Sequence, residues 1–239
     1  MSVKLGVNID HIATLRQARQ VGYPNLLTAG KLAKEHGADF IVMHLRHDRR
    51  HIQDADVKNL VKNLKLPIHV EMAATTEMQK IALKIKPNSV CIVPEKPNEL
   101  TTEGGLKLTP ASIKKIKSFI TALHKKNIKA SLFLDPNLKD IQTAKDIGSD
   151  IVELSTKKYS ECKTFKQTSK EIEVLTKASL LVNKLKMELH SGHGLDYENV
   201  QEIATLPKMK CLNIGFSIIS RSLFSGFGNA IEEMKNLIK

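Results

Sequence analysis

The chain has 239 residues, 37 basic against 25 acidic side chains for a net charge of +12, and 41% hydrophobic residues with three Cys and no Trp. A chain of this length buries a sizeable core, which excludes disorder and a small disulfide scaffold, and one α/β barrel of about 200–250 residues fits it as well as two small domains do. No apolar run approaches the roughly 18–20 residues of a membrane helix, and the start MSVKLGVNIDHIATLRQ lacks the apolar stretch of a secretory signal, so a soluble, cytoplasmic protein without a membrane partner is expected.

Short apolar, β-branched runs recur at even spacing along the chain. They predict strands over Leu5–Asn8, Phe40–His44, Ile68–Met72, Val90–Val93, Ala130–Leu134, Ile151–Leu154, Met187–His190 and Leu212–Gly215. Between and after them, amphipathic segments predict helices over Asn25–His36, Asp54–Leu64, Thr76–Ile85, Pro110–Lys126, Leu138–Ile147, Thr168–Lys184, Tyr197–Thr205 and Gly228–Ile238. Start signals such as Asp54 and Thr109–Pro110, and stop signals such as Gly37 and Gly148, bracket several of them. Eight such alternations fit a closed (β/α)₈ TIM barrel better than an open doubly wound sheet, and no G-x-G-x-x-G follows the first strand. With no linker, low-complexity tract or short repeat, a single domain over residues 1–239 is expected.

The charge is of two kinds. Thirty-one of the basic residues are Lys, spread over amphipathic stretches such as SIKKIKSFITALHKKNIK as on solvated helix faces. The six Arg cluster instead, Arg16 with Arg19 and Arg46 with Arg49 and Arg50, leaving Arg221 alone; guanidinium forks suit phosphate or carboxylate. Small anionic ligands are therefore favoured over nucleic acid, for which stacking aromatics near the Arg residues are also scarce. Cys91, Cys162 and Cys211 show no C-x-x-C spacing and are expected to be reduced and buried.

A barrel carries its active site where strands run out into helices. Polar residues concentrate there: Asn8, Asp10 and His11 after the first strand, His44 to His51 after the second, Glu71 ending the third, Thr101 to Gly105 after the fourth, Glu153 in the sixth, Ser191 to Gly194 after the seventh and Gly215 to Arg221 after the eighth. The loop HLRHDRRH sets three Arg and three His within eight residues, and a shared anion would relieve their repulsion. A metal held by His44, His47, His51 and Asp48 is another reading, opposed by the neighbouring Arg residues. His44 and Glu71 end adjacent strands, which suits paired acid–base work, with Glu153 able to stabilise a developing cation or to form an interior ion pair with an Arg. Glycine turns in SGHGL and NIGF lie where many barrels hold a phosphate on backbone N–H groups.

The stretches GVNIDHIATLRQAR, HLRHDRRHI, VEMAAT, VPEKPNELTTEGGL, SLFLDP, SGHGL and LNIG closely resemble the pyridoxine 5′-phosphate synthase family of deoxyxylulose-dependent vitamin B6 biosynthesis, from about Leu5 to the last helix. The resemblance implies a barrel that condenses 1-deoxy-D-xylulose 5-phosphate with 3-amino-2-oxopropyl phosphate, releasing inorganic phosphate and water, without metal or organic cofactor and as a homo-octamer. It implies proton acceptors at His44 and Glu71, a proton donor at His193 and a transition-state stabiliser at Glu153. Asn8 would touch the amino ketone phosphate; Asp10, His11, Arg19, Arg46, His51 and Thr101 would hold the deoxyxylulose phosphate; and Gly194, Gly215 and the backbone of Phe216 would hold the product phosphate. Three positions depart from the family pattern: Phe216 replaces the usual His after the eighth strand, Leu154-Ser155-Thr156-Lys157 replaces I-H-T-G, and His190 replaces an Asn. The runner-up is a metal-dependent barrel hydrolase or aldolase acting on a phosphorylated small molecule.

Overall fold

A computed structural model describes residues 2–95 and 104–239 of the chain. Eight parallel strands, β1 (Lys4–Asn8), β2 (Phe40–His44), β3 (Ile68–Met72), β4 (Ser89–Ile92), β5 (Lys129–Leu134), β6 (Ile151–Ser155), β7 (Glu188–Gly192) and β8 (Cys211–Ile214), pair in chain order, and β8 closes onto β1 with Leu5 opposite Leu212. The expected (β/α)₈ barrel is thus the observed fold. Eleven helices are present among the described residues: α1 (Asp10–Arg19), α2 (Leu26–Glu35), α3 (Asp54–Asn63), α4 (Thr76–Ile85), α5 (Pro110–His124), α6 (Leu138–Asp146), α7 (Lys157–Ser160), α8 (Phe165–Lys184), α9 (Val200–Ala204), α10 (Phe216–Ser225) and α11 (Phe227–Leu237).

Local chemistry starts most of the longer helices. Asn25, Thr75 and Asn137 each accept a backbone N–H of the first turn of α2, α4 and α6. Thr109 with Ser112 closes a capping box on α5, where Pro110 takes the first position, and Thr164 with Gln167 closes another on α8. The Thr164 cap starts α8 three residues before the predicted Thr168. Three helices fall where the sequence predicts only loops, α1, α7 and α10, and all lie on the strand-to-helix side of the barrel. Of the three cysteines, Cys91 and Cys211 are buried as expected, whereas Cys162 is half-exposed beside α7 and donates to the Lys158 carbonyl.

Strand alternation divides the burial into two regions. Leu5, Val7, Ile41, Met43, Val70, Val90, Leu132, Val152, Leu189 and Leu212 face outward and pack with the helices in one continuous apolar core. The inward residues are different: His69, Ser89, Cys91, Ser131, Glu153, His190, Cys211 and Asn213 fill the lumen with polar groups that are almost fully buried. Barrel interiors are more often packed with branched aliphatics. Here the lumen is held by hydrogen bonds, with Asn213 donating to Glu153 at 2.8 Å and His69 Nδ1 lying 2.6 Å from the Ser89 hydroxyl.

Gly192 makes room for this network, because a Cβ there would stand 2.7 Å from Glu153 Oε1 and 2.9 Å from the Asn213 carbonyl oxygen. A Gly192→Ala variant must push one of them away, and overpacking of this kind costs about 1–3 kcal/mol. Its urea midpoint should fall accordingly; an unchanged midpoint would mean that the lumen tolerates the methyl group and is looser than its hydrogen bonds indicate.

Candidate active site

The mouth is assembled from the strand ends and the turns that follow them. The register sets His44 opposite Glu71, and His44 Nδ1 lies 3.9 Å from Glu71 Oε2. Both side chains are well buried, at 6% and 16% exposure, so the expected adjacency of an imidazole and a carboxyl in a partly desolvated mouth is present. Asn8 and Asp10 are also together, but not as two residues of one strand. The chain turns into α1 after Ile9, the Asn8 amide donates to Asp10 Oδ2 at 3.0 Å, and Asp10 Oδ1 accepts the His44 backbone N–H at 2.8 Å.

Glu153 lies beneath this group. Its carboxylate accepts from Asn213, is approached by the Cys91 thiol at 3.7 Å, and has His69 Nε2 at 3.7 Å. Among the described residues the basic side chain beside it is His69 rather than an Arg, so the Arg ion pair allowed by the sequence is not formed. Burial pushes the Glu153 carboxyl up, yet nearby His69, His190 and the Asn213 amide outweigh this and hold it below the ordinary value. Glu71 moves the opposite way: burial raises it well above the ordinary value, and the charges of Glu153 and Asp10 add to the rise. Two carboxyls in one cavity thus have their pKa values pushed apart. Burial likewise pushes the Cys91 thiol up, so it stays protonated.

The Arg cluster separates on folding. Arg16 makes a bidentate pair with Asp56 at 2.6 and 2.7 Å and also holds the His51 carbonyl; Arg49 bridges Asp54 and Glu77, Arg50 pairs with Asp48, and Arg221 pairs with Glu233. These four forks serve the protein's own carboxylates. Arg46 is buried at the mouth with Asp48 3.5 Å away, and Arg19 is exposed in the last turn of α1. Nine residues of helix, roughly 13 Å, separate Arg19 from Asp10, and among the described residues no contact joins it to the mouth. Of the three Arg in the loop after β2, Arg49 and Arg50 are thus engaged with the protein's own carboxylates, and the expected sharing of one anion by all three is not borne out as drawn.

The imidazoles separate too. His47 is exposed and lies 3.4 Å from Glu77, so His44, His47, His51 and Asp48 do not form the metal cluster considered from the sequence. The described residues whose ligand atoms converge are Asp10, His44 and Glu71, and His69, Cys91 and Glu153. His51 Nδ1 accepts the Ile52 N–H at 2.8 Å, which leaves the proton on Nε2, and burial lowers its pKa. His11 is exposed, with its ring edge-on to Phe216 at 5.2 Å. Thr101 lies outside the described residues.

The SGHGL turn is tightly constrained. His193 has φ +80°, a left-handed conformation uncommon outside glycine, and Gly194 follows at φ +76°. Buried Thr156 holds the turn: its N–H bonds the Gly192 carbonyl, and its hydroxyl lies 2.8 Å from that oxygen and 2.6 Å from the His193 carbonyl oxygen. A side chain on Gly194 would collide with the Ser160 hydroxyl. The His193 ring stands 6.5 Å from Phe133 over the lumen, and burial followed by the Lys157 charge lowers its pKa. Gly215, expected to end the eighth strand, instead caps α10 without a side-chain bond, packed so closely on Asn8 that a Cβ would come within 2.9 Å of the Asn8 Cβ. The first N–H groups of α10 therefore open beside Asn8.

Several residues of this arrangement are not picked out from the sequence: Glu95, Thr156, Asn213 and, as a partner of Glu153, His69. Glu95 Oε1 lies 2.9 Å from His44 Nε2, and Oε2 accepts the His47 N–H at 2.9 Å. It follows β4 by three residues, which is the strand-end position that marks the others.

The chain matches, over residues 5–239, the family described as Pyridoxal phosphate biosynthesis protein PdxJ. It belongs to that family. A protein named pyridoxine 5′-phosphate synthase from Elusimicrobium minutum is 54% identical over 239 residues, covering 100% of this chain and 99% of its own length. Proteins of the same name from Coxiella burnetii, 46% identical over 99% of this chain and 98% of their own, and from a Wolbachia strain, 45% identical over 98% of each, are also similar. Among solved structures, phosphoribosylanthranilate isomerase from Thermotoga maritima superposes with a TM-score of 0.60 at 14% identity over 99% of this chain and 98% of its own. A 4-hydroxy-2-oxoglutarate aldolase gives 0.65 at 13% over 98% and 94%; both share the barrel.

The opposed carboxyls lead to a direct test. Replacing Glu153 by Gln removes one of the like charges that raise the Glu71 pKa but leaves its burial unchanged. The Glu71 pKa, followed by carbon NMR of labelled Glu carboxyls, should fall in Glu153→Gln and stay above the ordinary value; no change would show that Glu153 carries no charge in the wild-type lumen.

Proposed function

We propose that this chain is a pyridoxine 5′-phosphate synthase, joining 1-deoxy-D-xylulose 5-phosphate to 3-amino-2-oxopropyl phosphate with release of inorganic phosphate and water. The observation that carries it is the convergence of His44, Glu71 and Glu153 in one buried mouth, in a chain whose full-length relatives bear that name. Imine formation, phosphate elimination, water addition and aldol-type ring closure all move protons, and none needs an external oxidant.

His44 and Glu71 act as proton acceptors. A carboxyl held above its ordinary pKa is a stronger base once ionised and readily returns the proton, so Glu71 serves more than one step. Glu153, held as the anion, faces the iminium charge that develops when the amine condenses with the ketone. His193, clamped over the opening by Thr156, donates protons to departing oxygens. Arg46, His51, Asp10 and His11 hold the deoxyxylulose phosphate, with Thr101 and, by family resemblance, Arg19. Asn8 meets the amino ketone phosphate, and Gly194, Gly215 and the Phe216 N–H hold the phosphate retained in the product. Exposed apolar side chains on α1 and α10, Leu15, Phe216, Leu223 and Phe224, support a homo-oligomer, an octamer by family resemblance. No helix of the described residues is long and apolar enough to cross a membrane, in keeping with a single-domain cytoplasmic enzyme.

Purified protein given both substrates and a chelator should form pyridoxine 5′-phosphate and inorganic phosphate in equal amounts. Product that appears only with a divalent ion would favour the metal-dependent alternative, and no product with or without metal from folded protein would overturn the assignment. Glu71→Gln and His193→Ala should each lower kcat by about 10²–10⁴-fold with little change in KM. Arg46→Lys should chiefly raise KM, because a planar fork becomes a point charge; an unchanged KM would remove Arg46 from the phosphate site.

A further inference from the structure

We propose that Glu95 is a positioning residue that fixes the tautomer and direction of His44, completing a Glu95–His44–Glu71 chain across the mouth. The proposal rests on the role of His44 as a proton acceptor given above and extends it to a residue that the resemblance assigns no role.

The His44 ring is held from three sides. Its backbone N–H is fixed by Asp10 Oδ1 at 2.8 Å, its Nε2 lies 2.9 Å from Glu95 Oε1, and its Nδ1 is turned toward Glu71 Oε2 at 3.9 Å. The Glu95 side chain is only 9% exposed, and its second oxygen is occupied by the His47 N–H. Burial pushes the Glu95 carboxyl up, but the His44 and His47 bonds and the charges of His44 and Arg46 more than reverse this, so it is ionised. An ionised carboxylate only accepts hydrogen bonds. The proton of neutral His44 therefore sits on Nε2, and Nδ1 presents a lone pair to the cavity. The 3.9 Å gap to Glu71 is too long for a direct hydrogen bond and leaves space for a substrate atom or a water between them. A carboxylate behind an imidazole also stabilises the imidazolium formed when Nδ1 takes a proton, the logic by which an acid orients the base in hydrolase triads.

A bland alternative is that Glu95 merely staples the turn after β2 to the end of β4. The two roles differ in what Glu95→Gln does. That change keeps size and an accepting oxygen, but its NH₂ can turn to Nε2 and move the imidazole proton to Nδ1, removing the base while sparing the staple.

The test combines kinetics with nitrogen NMR of the His44 ring in wild-type protein and Glu95→Gln, alongside His44→Gln and the double variant. Expected are an Nε2–H tautomer in the wild type, a shift toward Nδ1–H in Glu95→Gln, and a kcat about 10²-fold lower with KM within about threefold. The double variant should be no worse than His44→Gln by more than about twofold, because both changes remove one function. An Nδ1–H tautomer in the wild type would overturn the proposal without any variant being made. Near wild-type kcat in Glu95→Gln beside a crippled His44→Gln would overturn it while leaving His44 as the acceptor, and so would losses that multiply in the double variant. An active His44→Gln would remove the role of His44 itself, and the proposal with it.

Discussion

The mouth depends on the charge buried beneath it. Glu153 lies in the barrel lumen at 3% exposure, where an unpartnered carboxylate would be driven neutral, and it remains an anion because Asn213 donates to it and His69 lies beside it. The small size of Gly192 is required because the carboxylate fills the space of a side chain there. The thiol of Cys91 stays protonated in part because the same charge is near. Glu71, one layer nearer the opening, has its pKa raised by its own burial and by that charge. One buried anion thus sets the ionisation of the groups above it, and the polar lumen is the structure that keeps it in place.

The outer shell solves a different problem, the direction in which each group points. Barrel strands fix Cα positions, but the useful atoms of His44, His51 and His193 lie at the ends of rotatable side chains or in turns. His44 is locked by Asp10 and Glu95 and the His193 turn by Thr156, partners from other elements, while His51 is held by the N–H of its neighbour Ile52. Arg16 does similar work at longer range, its fork on Asp56 and the His51 carbonyl tying α1 to the start of α3. Most Arg side chains are consumed this way, which is why a basic loop need not be an anion site along its whole length.

What was legible in the sequence follows from this division. The barrel, its eight strands and the pairing of His44 with Glu71 follow from periodicity and strand order, which depend on local pattern and on the rule that consecutive parallel strands are neighbours. The short helices α1, α7 and α10 were hidden because each follows a strand end at once, where polar and glycine residues look like loop. Glu95 precedes the longer polar run from Thr101, and a single carboxylate three residues past β4 carries no pattern of its own. Thr156 and Asn213 have no signal at all in one dimension; their meaning lies in which carbonyl or carboxylate they face. Arg49, Arg50 and His47 erred in the other direction, since clustering in sequence says nothing of the carboxylates folding brings to them.

The departures from the family pattern fall where this logic permits change. In Leu154-Ser155-Thr156-Lys157 the retained residue is the Thr, whose N–H and hydroxyl close the left-handed turn at His193, and Lys157 alters the charge that His193 senses without touching the clamp. Phe216 replaces a His at the first position of α10, where the N–H offered by the helix is independent of side-chain identity, and its ring packs on His11. His190 lies in the lumen, near His69 and 3.2 Å from Glu188, where burial lowers its pKa. Each substitution therefore changes an electrostatic or packing neighbour of a working group and leaves the bond that aims that group intact. A site organised in this way can vary its chemistry in small steps, because the atoms that set direction and the atoms that set pKa belong to different residues.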